Sequence, residues 1–246
     1  MNEFTYFIAA PFGNYLNYKE SEVFHNCISV TGTWTLKYRA GWFKRFWKIV
    51  ATLRYDSKLN GWVNQLGLPN KGLVYGLKNT SSSEVLSIAA IENDDWIKIK
   101  DMIEDDMSIE FNLSCPNVED TKKIWGDLSY FFDSNKRKWR IAKVSPLITL
   151  EQIQFLIEKI GFNQLHLCNT LPIHGRGGLS GPALKPHVLK LIKIIRTNWG
   201  DDIEIVAGGG VRNEIDKVDY LSAGANHISL GTLCFKPWKV KNLISK

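Results

Sequence analysis

Short apolar segments alternate with amphipathic or polar segments from one end of the chain to the other, and this alternation limits the fold more than any other feature. We predict strands at residues 5–10, 27–31, 86–91, 108–114, 139–144, 164–169, 203–207 and 227–230. We predict helices at residues 94–105, 150–160, 186–198 and 213–222, with Thr149 and Asn213 as N-caps of the second and fourth.

Strands separated by helices favour a parallel sheet. Eight such units in 246 residues close more readily than they splay into a doubly wound sheet. The predicted fold class is α/β, a single (β/α)8 TIM barrel with parallel strands, in one domain over residues 1–246.

Net charge and cysteine content exclude few functions. The net charge of +6 is compatible with an anionic ligand, a nucleic acid or an acidic surface. The four cysteines form no C-x-x-C pair and no cluster with histidine, so we expect no metal site. Their pattern fits a reducing compartment, which predicts a cytoplasmic protein. We see no signal peptide and no apolar run of membrane-spanning length, so we expect no membrane span.

Residues 37–48 interleave basic and aromatic side chains. Such a segment can bind a nucleic acid or an anionic membrane surface, or pack its rings at the rim of the barrel while its charges face water. It could also help to cover a ligand site. We expect the rim arrangement and no nucleic-acid partner.

Glycine-rich loops follow the last two predicted strands. In a barrel, functional residues lie on the loops after the strands. Gly208-Gly209-Gly210 follows the seventh strand and Gly231-Thr232 follows the eighth, and backbone N–H groups of such loops bind phosphate. The alternative is a pair of tight turns. The segment 175–186 after the sixth strand could donate to the same phosphate or form a flexible lid.

Polar side chains lie where the other predicted strands end. Lys143 lies within an apolar strand, so it either meets a ligand or extends to solvent at the rim. Asn112, Cys115 and Asn117 lie at the C-terminal end of the fourth strand, and this segment alone indicates a strand end with a buried thiol. With Asn70 and Asn169 they add carboxamides that can bind a cyclic imide or ureide.

Taken in order, these motifs resemble the dihydroorotate dehydrogenase family. The matching segments are Asn-Gln-Leu-Gly-Leu-Pro-Asn-Lys-Gly at 64–72, Asn-Leu-Ser-Cys-Pro-Asn-Val at 112–118, Asn169-Thr170, Gly-Gly-Leu-Ser-Gly-Pro-Ala-Leu-Lys-Pro at 177–186, Gly-Gly-Gly-Val at 208–211 and Leu-Gly-Thr at 230–232. The resemblance implies an FMN-binding barrel that oxidises dihydroorotate to orotate in de novo pyrimidine synthesis. It implies Cys115 as the base that takes the C5 proton, with hydride transfer from C6 to flavin N5.

The same resemblance assigns the remaining site residues. The implied substrate-binding residues are Asn70, Asn112, Asn117, Asn169 and Thr170. The implied FMN-binding residues are Ala10, Lys143, Gly181, Gly209, Gly210, Gly231 and Thr232. A cysteine base resembles the soluble class, and segment 177–186 is most similar to the NAD-linked branch, which works with an iron–sulfur and FAD electron-transfer subunit. A second copy of the chain, in a homodimer, is the other partner considered.

The sequence departs from the family at one wall of the site. Gly32 occupies the position of a family lysine that touches flavin and substrate, and Lys37 is a candidate replacement. The chain is also shorter than the family between Gly72 and Leu86 and after Thr170. Three alternatives therefore stay open: a non-catalytic ligand-binding barrel derived from this family, an FMN oxidoreductase acting on another pyrimidine, and a phosphate-binding isomerase without flavin. Asn117 argues against the second.

Overall fold

The computed structural model describes residues 3–15, 26–39, 47, 51–92, 94–113, 125, 127–132 and 136–245. In chain order, the strands are β1 (Tyr6–Ile8), β2 (Cys27–Thr35), β3 (Arg54–Asp56), β4 (Gly61–Asn64), β5 (Val85–Ala89), β6 (Ile109–Asn112), β7 (Arg140–Val144), β8 (Gln164–Leu167), β9 (Leu171–Ile173), β10 (Gly177–Ser180), β11 (Glu204–Ala207) and β12 (His227–Leu230). Eight of them form a closed parallel barrel in the order β1-β12-β11-β8-β7-β6-β5-β2, with β2 pairing back onto β1. The predicted fold class is confirmed, and each predicted strand is present.

A second sheet, which the sequence pattern did not predict, lies beside the barrel. It has four strands in the order β3-β4-β10-β9, and its pairs are antiparallel. Strand β10 takes up Gly177–Ser180, so this part of the glycine-rich segment is a strand and not a loop. Its partner β4 lies more than a hundred residues earlier in the chain, which is why local periodicity did not reveal the pairing.

The helices whose full bounds fall in the described ranges lie between the barrel strands and after the last one. They are α1 (Leu73–Asn79), α2 (Asp95–Lys100), α3 (Leu150–Gln154, continuing as a π-helix over Phe155–Ile160), α4 (Lys185–Trp199), α5 (Glu214–Ser222) and α6 (Pro237–Ile244). Both predicted caps are present: Thr149 forms a capping box with Gln152, and the Asn213 side chain accepts from the Asp216 amide. The predicted helix 94–105 ends earlier, at Lys100. None of the helices in the described ranges is long and apolar enough to cross a membrane.

The barrel interior has an apolar layer between two groups of polar side chains, and the group at the amino ends of the strands includes the buried pair Glu204 and His227, 2.8 Å apart. The rings of Phe7 and Trp139 meet edge to face with centroids 5.0 Å apart. Because β1 and β7 are not neighbours, this contact crosses the interior, and Val30, Ile141 and Val206 belong to the same cluster. Further along the parallel strands, toward their carboxyl ends, charged and amide side chains replace these apolar ones. The fold therefore supports a polar site at one mouth of the barrel on a packed apolar base.

Candidate active site

A cavity of about 970 Å³ opens where the barrel strands end. Its walls come from the loops after the strands and from the small sheet. The residues with predicted roles that line it are Ala10, Asn70, Asn112, Lys143, Asn169, Thr170, Gly181, Gly209, Gly210, Gly231 and Thr232. The two others, Cys115 and Asn117, lie outside the described residues. Residues distant in sequence are thus brought to one cavity, on the side of the barrel where sites form.

A buried charged cluster forms the floor of this cavity. Glu110, on β6, is fully buried, and its carboxylate lies 3.4 Å from the Lys143 ammonium and 2.6 Å from His166 Nδ1. The Ser87 hydroxyl donates a third contact at 2.8 Å. The strands enforce this arrangement, because Lys143 and His166 are paired across β7 and β8 and Ser87 and Glu110 across β5 and β6. Lys143 is only 6% exposed, so it does not extend to solvent at the rim.

The cluster holds one negative and one positive charge. Burial alone would raise the pKa of Glu110, but the charge of Lys143 and the contact with His166 lower that pKa to about 2. Burial, together with the charge of Lys143, lowers the pKa of His166 below its usual value against the pull of Glu110. We therefore assign an ionised Glu110 and a neutral His166 at neutral pH. Sequence reasoning missed both residues, and the available signal was a charged residue between Ile109 and Phe111.

Two of the predicted asparagines touch each other. The Asn169 amide donates to the Asn112 carbonyl oxygen at 2.9 Å, and the Asn112 amide donates to the Thr33 hydroxyl at 3.2 Å. The Thr170 backbone N–H donates to Asn169 Oδ1. This chain of hydrogen bonds fixes the carboxamides between the carboxyl ends of β6 and β8.

Asn70 is engaged differently, because its side chain ties together two loops. Its amide donates to the Thr35 hydroxyl at 2.9 Å and to the Leu68 carbonyl oxygen at 2.8 Å. Its side-chain oxygen accepts the Gly72 N–H at 2.8 Å. An amide group has two donor hydrogens, so both are used within the protein. Asn70 lines the cavity, but its side chain stabilises the two loops by hydrogen bonds within the protein.

The predicted phosphate loops pack against one another. A Cβ placed on Gly210 would lie 2.6 Å from the Pro182 Cα, and Gly210 has φ +86°, so the loop after β11 requires glycine to approach the turn that precedes α4. Gly231 lines the cavity, and no protein atom lies within 4 Å of a Cβ built there. Arg212 does not line the cavity, since its guanidinium binds Asp216 at 2.8 and 3.1 Å. Backbone groups, not this arginine, are available to an anion here.

The wall that carries Gly32 has no room for a longer side chain. Gly32 has φ +101°, and a Cβ there would collide with the Ser87 carbonyl oxygen. Lys37 does not replace the missing lysine. Its side chain is 69% exposed and bonded to Glu92 at 3.0 Å, and it does not line the cavity. Most of the basic–aromatic segment 37–48 lies outside the described residues.

Comparison with known proteins identifies the family. The family model described as dihydroorotate dehydrogenase matches residues 50–246. The chain belongs to the dihydroorotate dehydrogenase family. A "Dihydroorotate dehydrogenase B (NAD(+)), catalytic subunit" from Staphylococcus carnosus is 30% identical over 218 residues, covering 76% of this chain and 71% of that protein. A protein of the same name from Listeria monocytogenes is 30% identical over 227 residues, covering 79% of this chain and 74% of that one.

Solved structures of similar fold are more distant in sequence. The crystal structure of DHODH from Eimeria tenella in complex with ferulenol superposes with a TM-score of 0.73 over 98% of this chain and 79% of that one, at 18% identity. A ligand-free structure from the same organism gives a TM-score of 0.67 at 19% identity. At this identity the likeness supports the barrel fold, and the family assignment depends on the sequence matches.

Proposed function

We propose that this protein oxidises dihydroorotate to orotate in de novo pyrimidine synthesis, with FMN as its cofactor. The observation that carries the proposal is the convergence of family motif residues from separate strands on one cavity. Ligand cavities commonly measure about 300–1,000 Å³, so the cavity suits a mononucleotide with a small ring beside it.

The residues present fit the cofactor. Gly231 faces open space at one end of the cavity, beside the glycine loop after β11, where backbone N–H groups can bind a phosphate. Lys143, held against Glu110, supplies a cation at the floor, where it would face the N1/O2 edge of a flavin. Ala10, Gly181, Gly209, Gly210 and Thr232 would complete the contacts. When bound, FMN would supply the two-electron acceptor that receives the substrate hydride at N5.

The chain's own groups supply the proton transfer and the binding. Cys115 would take the C5 proton onto its sulfur as the C6 hydride leaves, so that the C5–C6 double bond forms. Burial raises the pKa of each of the other three thiols, Cys27, Cys168 and Cys234, to about 12, so they stay protonated at neutral pH and cannot accept a proton. Asn112, Asn117, Asn169 and Thr170 would hold the ring amides, with Asn70 bracing the loop beside them.

The names of the relatives suggest the partner. Because they are catalytic subunits of an NAD-linked enzyme, we propose that electrons pass to an iron–sulfur and FAD subunit. We further propose a homodimer, a cytoplasmic location and one domain over residues 1–246.

The visible spectrum of the flavin tests the function. We expect the purified protein, loaded with FMN, to lose its flavin absorbance when dihydroorotate is added without oxygen. Dihydrouracil, which lacks the carboxylate, is the control substrate and should leave the spectrum unchanged. Bleaching by dihydrouracil would favour a different pyrimidine. Bound flavin that dihydroorotate does not reduce would favour a non-catalytic barrel, the candidate that Gly32 and the outward-facing Lys37 support.

The phosphate assignment has its own test in Gly231→Ala. No protein atom lies near a new Cβ at this position, and the free energy of unfolding without FMN measures any backbone cost of the substitution separately. The methyl group would occupy the space assigned to the phosphate, so the dissociation constant for FMN should rise about tenfold or more, a cost of about 1.4 kcal/mol. Fluorescence titration and urea unfolding measure the two quantities. An unchanged FMN affinity would contradict the assignment.

A further inference from the structure

The cavity wall carries an imbalance of charge. Among the described residues that line it, Arg39 and Lys143 are the lysine and arginine side chains, and no aspartate or glutamate is present. Lys143 is balanced by Glu110 beneath the floor. The charge of Arg39 is not balanced within the described part of the chain, so the wall at Arg39 favours an anion.

The backbone of Arg39 is held in place by Asn70. The Arg39 N–H donates to the Asn70 carbonyl oxygen at 2.9 Å, and the Asn70 N–H donates back at 2.8 Å. Through its side chain Asn70 also binds Thr35, at the end of β2, and Gly72, before α1. Asn70 therefore ties the backbone of Arg39 to the end of β2 and to the start of α1.

Several cations in the described part of the chain have an acidic partner, whereas the guanidinium of Arg39 has none there. Arg176 pairs with Asp56 at 2.6 Å, Arg212 with Asp216 at 2.8 Å and Lys37 with Glu92 at 3.0 Å. For the partly buried Arg39, no side-chain hydrogen bond or ion pair with any described residue is present. A partly desolvated guanidinium gains most from a planar anion that accepts two parallel hydrogen bonds.

We propose that Arg39 binds the carboxylate of the ring substrate and supplies the positive charge that Gly32 cannot provide. This inference rests on the proposed function. Arg39 follows β2 by four residues, so it belongs to the same wall as Gly32. Its fork of N–H groups matches a carboxylate, while the carboxamides after β6 and β8 remain for the ring. Asn70 acts here as a positioning residue, because it fixes the backbone of Arg39 and uses both its amide hydrogens within the protein.

Two ligands that differ only in the carboxylate can show whether Arg39 contacts that group or affects ligand binding in general. Calorimetric titration of the FMN-loaded protein would use orotate and its carboxamide, which has the same shape without the charge. We expect Arg39→Ala to weaken orotate binding about 10- to 100-fold, the loss of a charge-assisted contact, and the carboxamide by less than about threefold. Arg39→Lys should retain part of the preference for orotate. Lys37→Ala, a cation two residues away that pairs with Glu92, should leave both affinities unchanged.

The other outcomes each overturn the inference. Equal weakening of both ligands by Arg39→Ala would indicate a structural role, and unchanged orotate binding would exclude the contact. Weaker FMN binding with orotate preference intact would place Arg39 at the cofactor phosphate. If the wild-type protein bound FMN but neither bound orotate nor oxidised dihydroorotate, the proposed function would fail, and this inference with it. If the wild-type protein bound orotate and oxidised dihydroorotate, and Arg39→Ala bound orotate equally well, the assignment of Arg39 would fail while the proposed function stood.

Discussion

Cys115→Ala is expected to slow the reduction of bound flavin by dihydroorotate about 10²- to 10⁴-fold, the usual contribution of a positioned general base. FMN should remain bound, because the phosphate and ring contacts come from other strands. Anaerobic rapid mixing, monitored by flavin absorbance, measures the rate. Cys234→Ala removes a buried thiol that does not line the cavity, and it should leave that rate nearly unchanged.

The pH dependence of the same step gives a second signature. A thiol must lose its proton to act as a base, and a free cysteine has a pKa of about 8.5. The wild-type reduction rate should therefore rise with pH until the thiol is ionised, and Cys115→Ala should lack that rise. A variant that retains both the rate and its pH dependence would show that another group removes the C5 proton.

The barrel could be predicted because each of its strands and helices is indicated by a short stretch of neighbouring residues. Each strand is a short apolar run, and the interleaved helices carry their own signals, such as the capping box at Thr149. The small sheet could not be predicted in this way. Its strands have three or four residues, include glycines, and pair β4 with β10 across the sequence. Pairing of that kind depends on where the finished barrel places the two segments.

The sequence predicted which residues line one cavity better than it predicted the contacts between them. Motif spacing identified residues that do line one cavity, including Asn112 and Lys143. It did not reveal that Glu110 and His166 lie beside Lys143, because partners on neighbouring strands become visible only with the register. Nor could it show that Lys37 faces Glu92 instead of the cavity.

The second large effect is expected from Glu110→Gln. This change leaves the Lys143 ammonium buried beside a neutral amide, and breaking a buried ion pair by removing one partner typically costs about 3–5 kcal/mol. Urea unfolding of the protein without FMN at neutral pH measures the loss. The double variant Glu110→Gln with Lys143→Met also removes the unpaired ammonium group, so it should be more stable than the single variant.

Acid should reproduce the effect of the substitution. The pKa of Glu110 is lowered from 4.5 to about 2 in the folded protein, so its stabilisation is fully present above about pH 4.5 and is lost as the pH falls toward 2. At about 1.4 kcal/mol per pKa unit, the lost stability is about 3 kcal/mol. The difference in unfolding free energy between wild type and Glu110→Gln should therefore shrink over that pH range. A constant difference, or a double variant no more stable than the single one, would contradict the pairing. Rescue by the double variant would show that Glu110 is needed because Lys143 is charged, so the cavity floor holds its cation before any ligand binds.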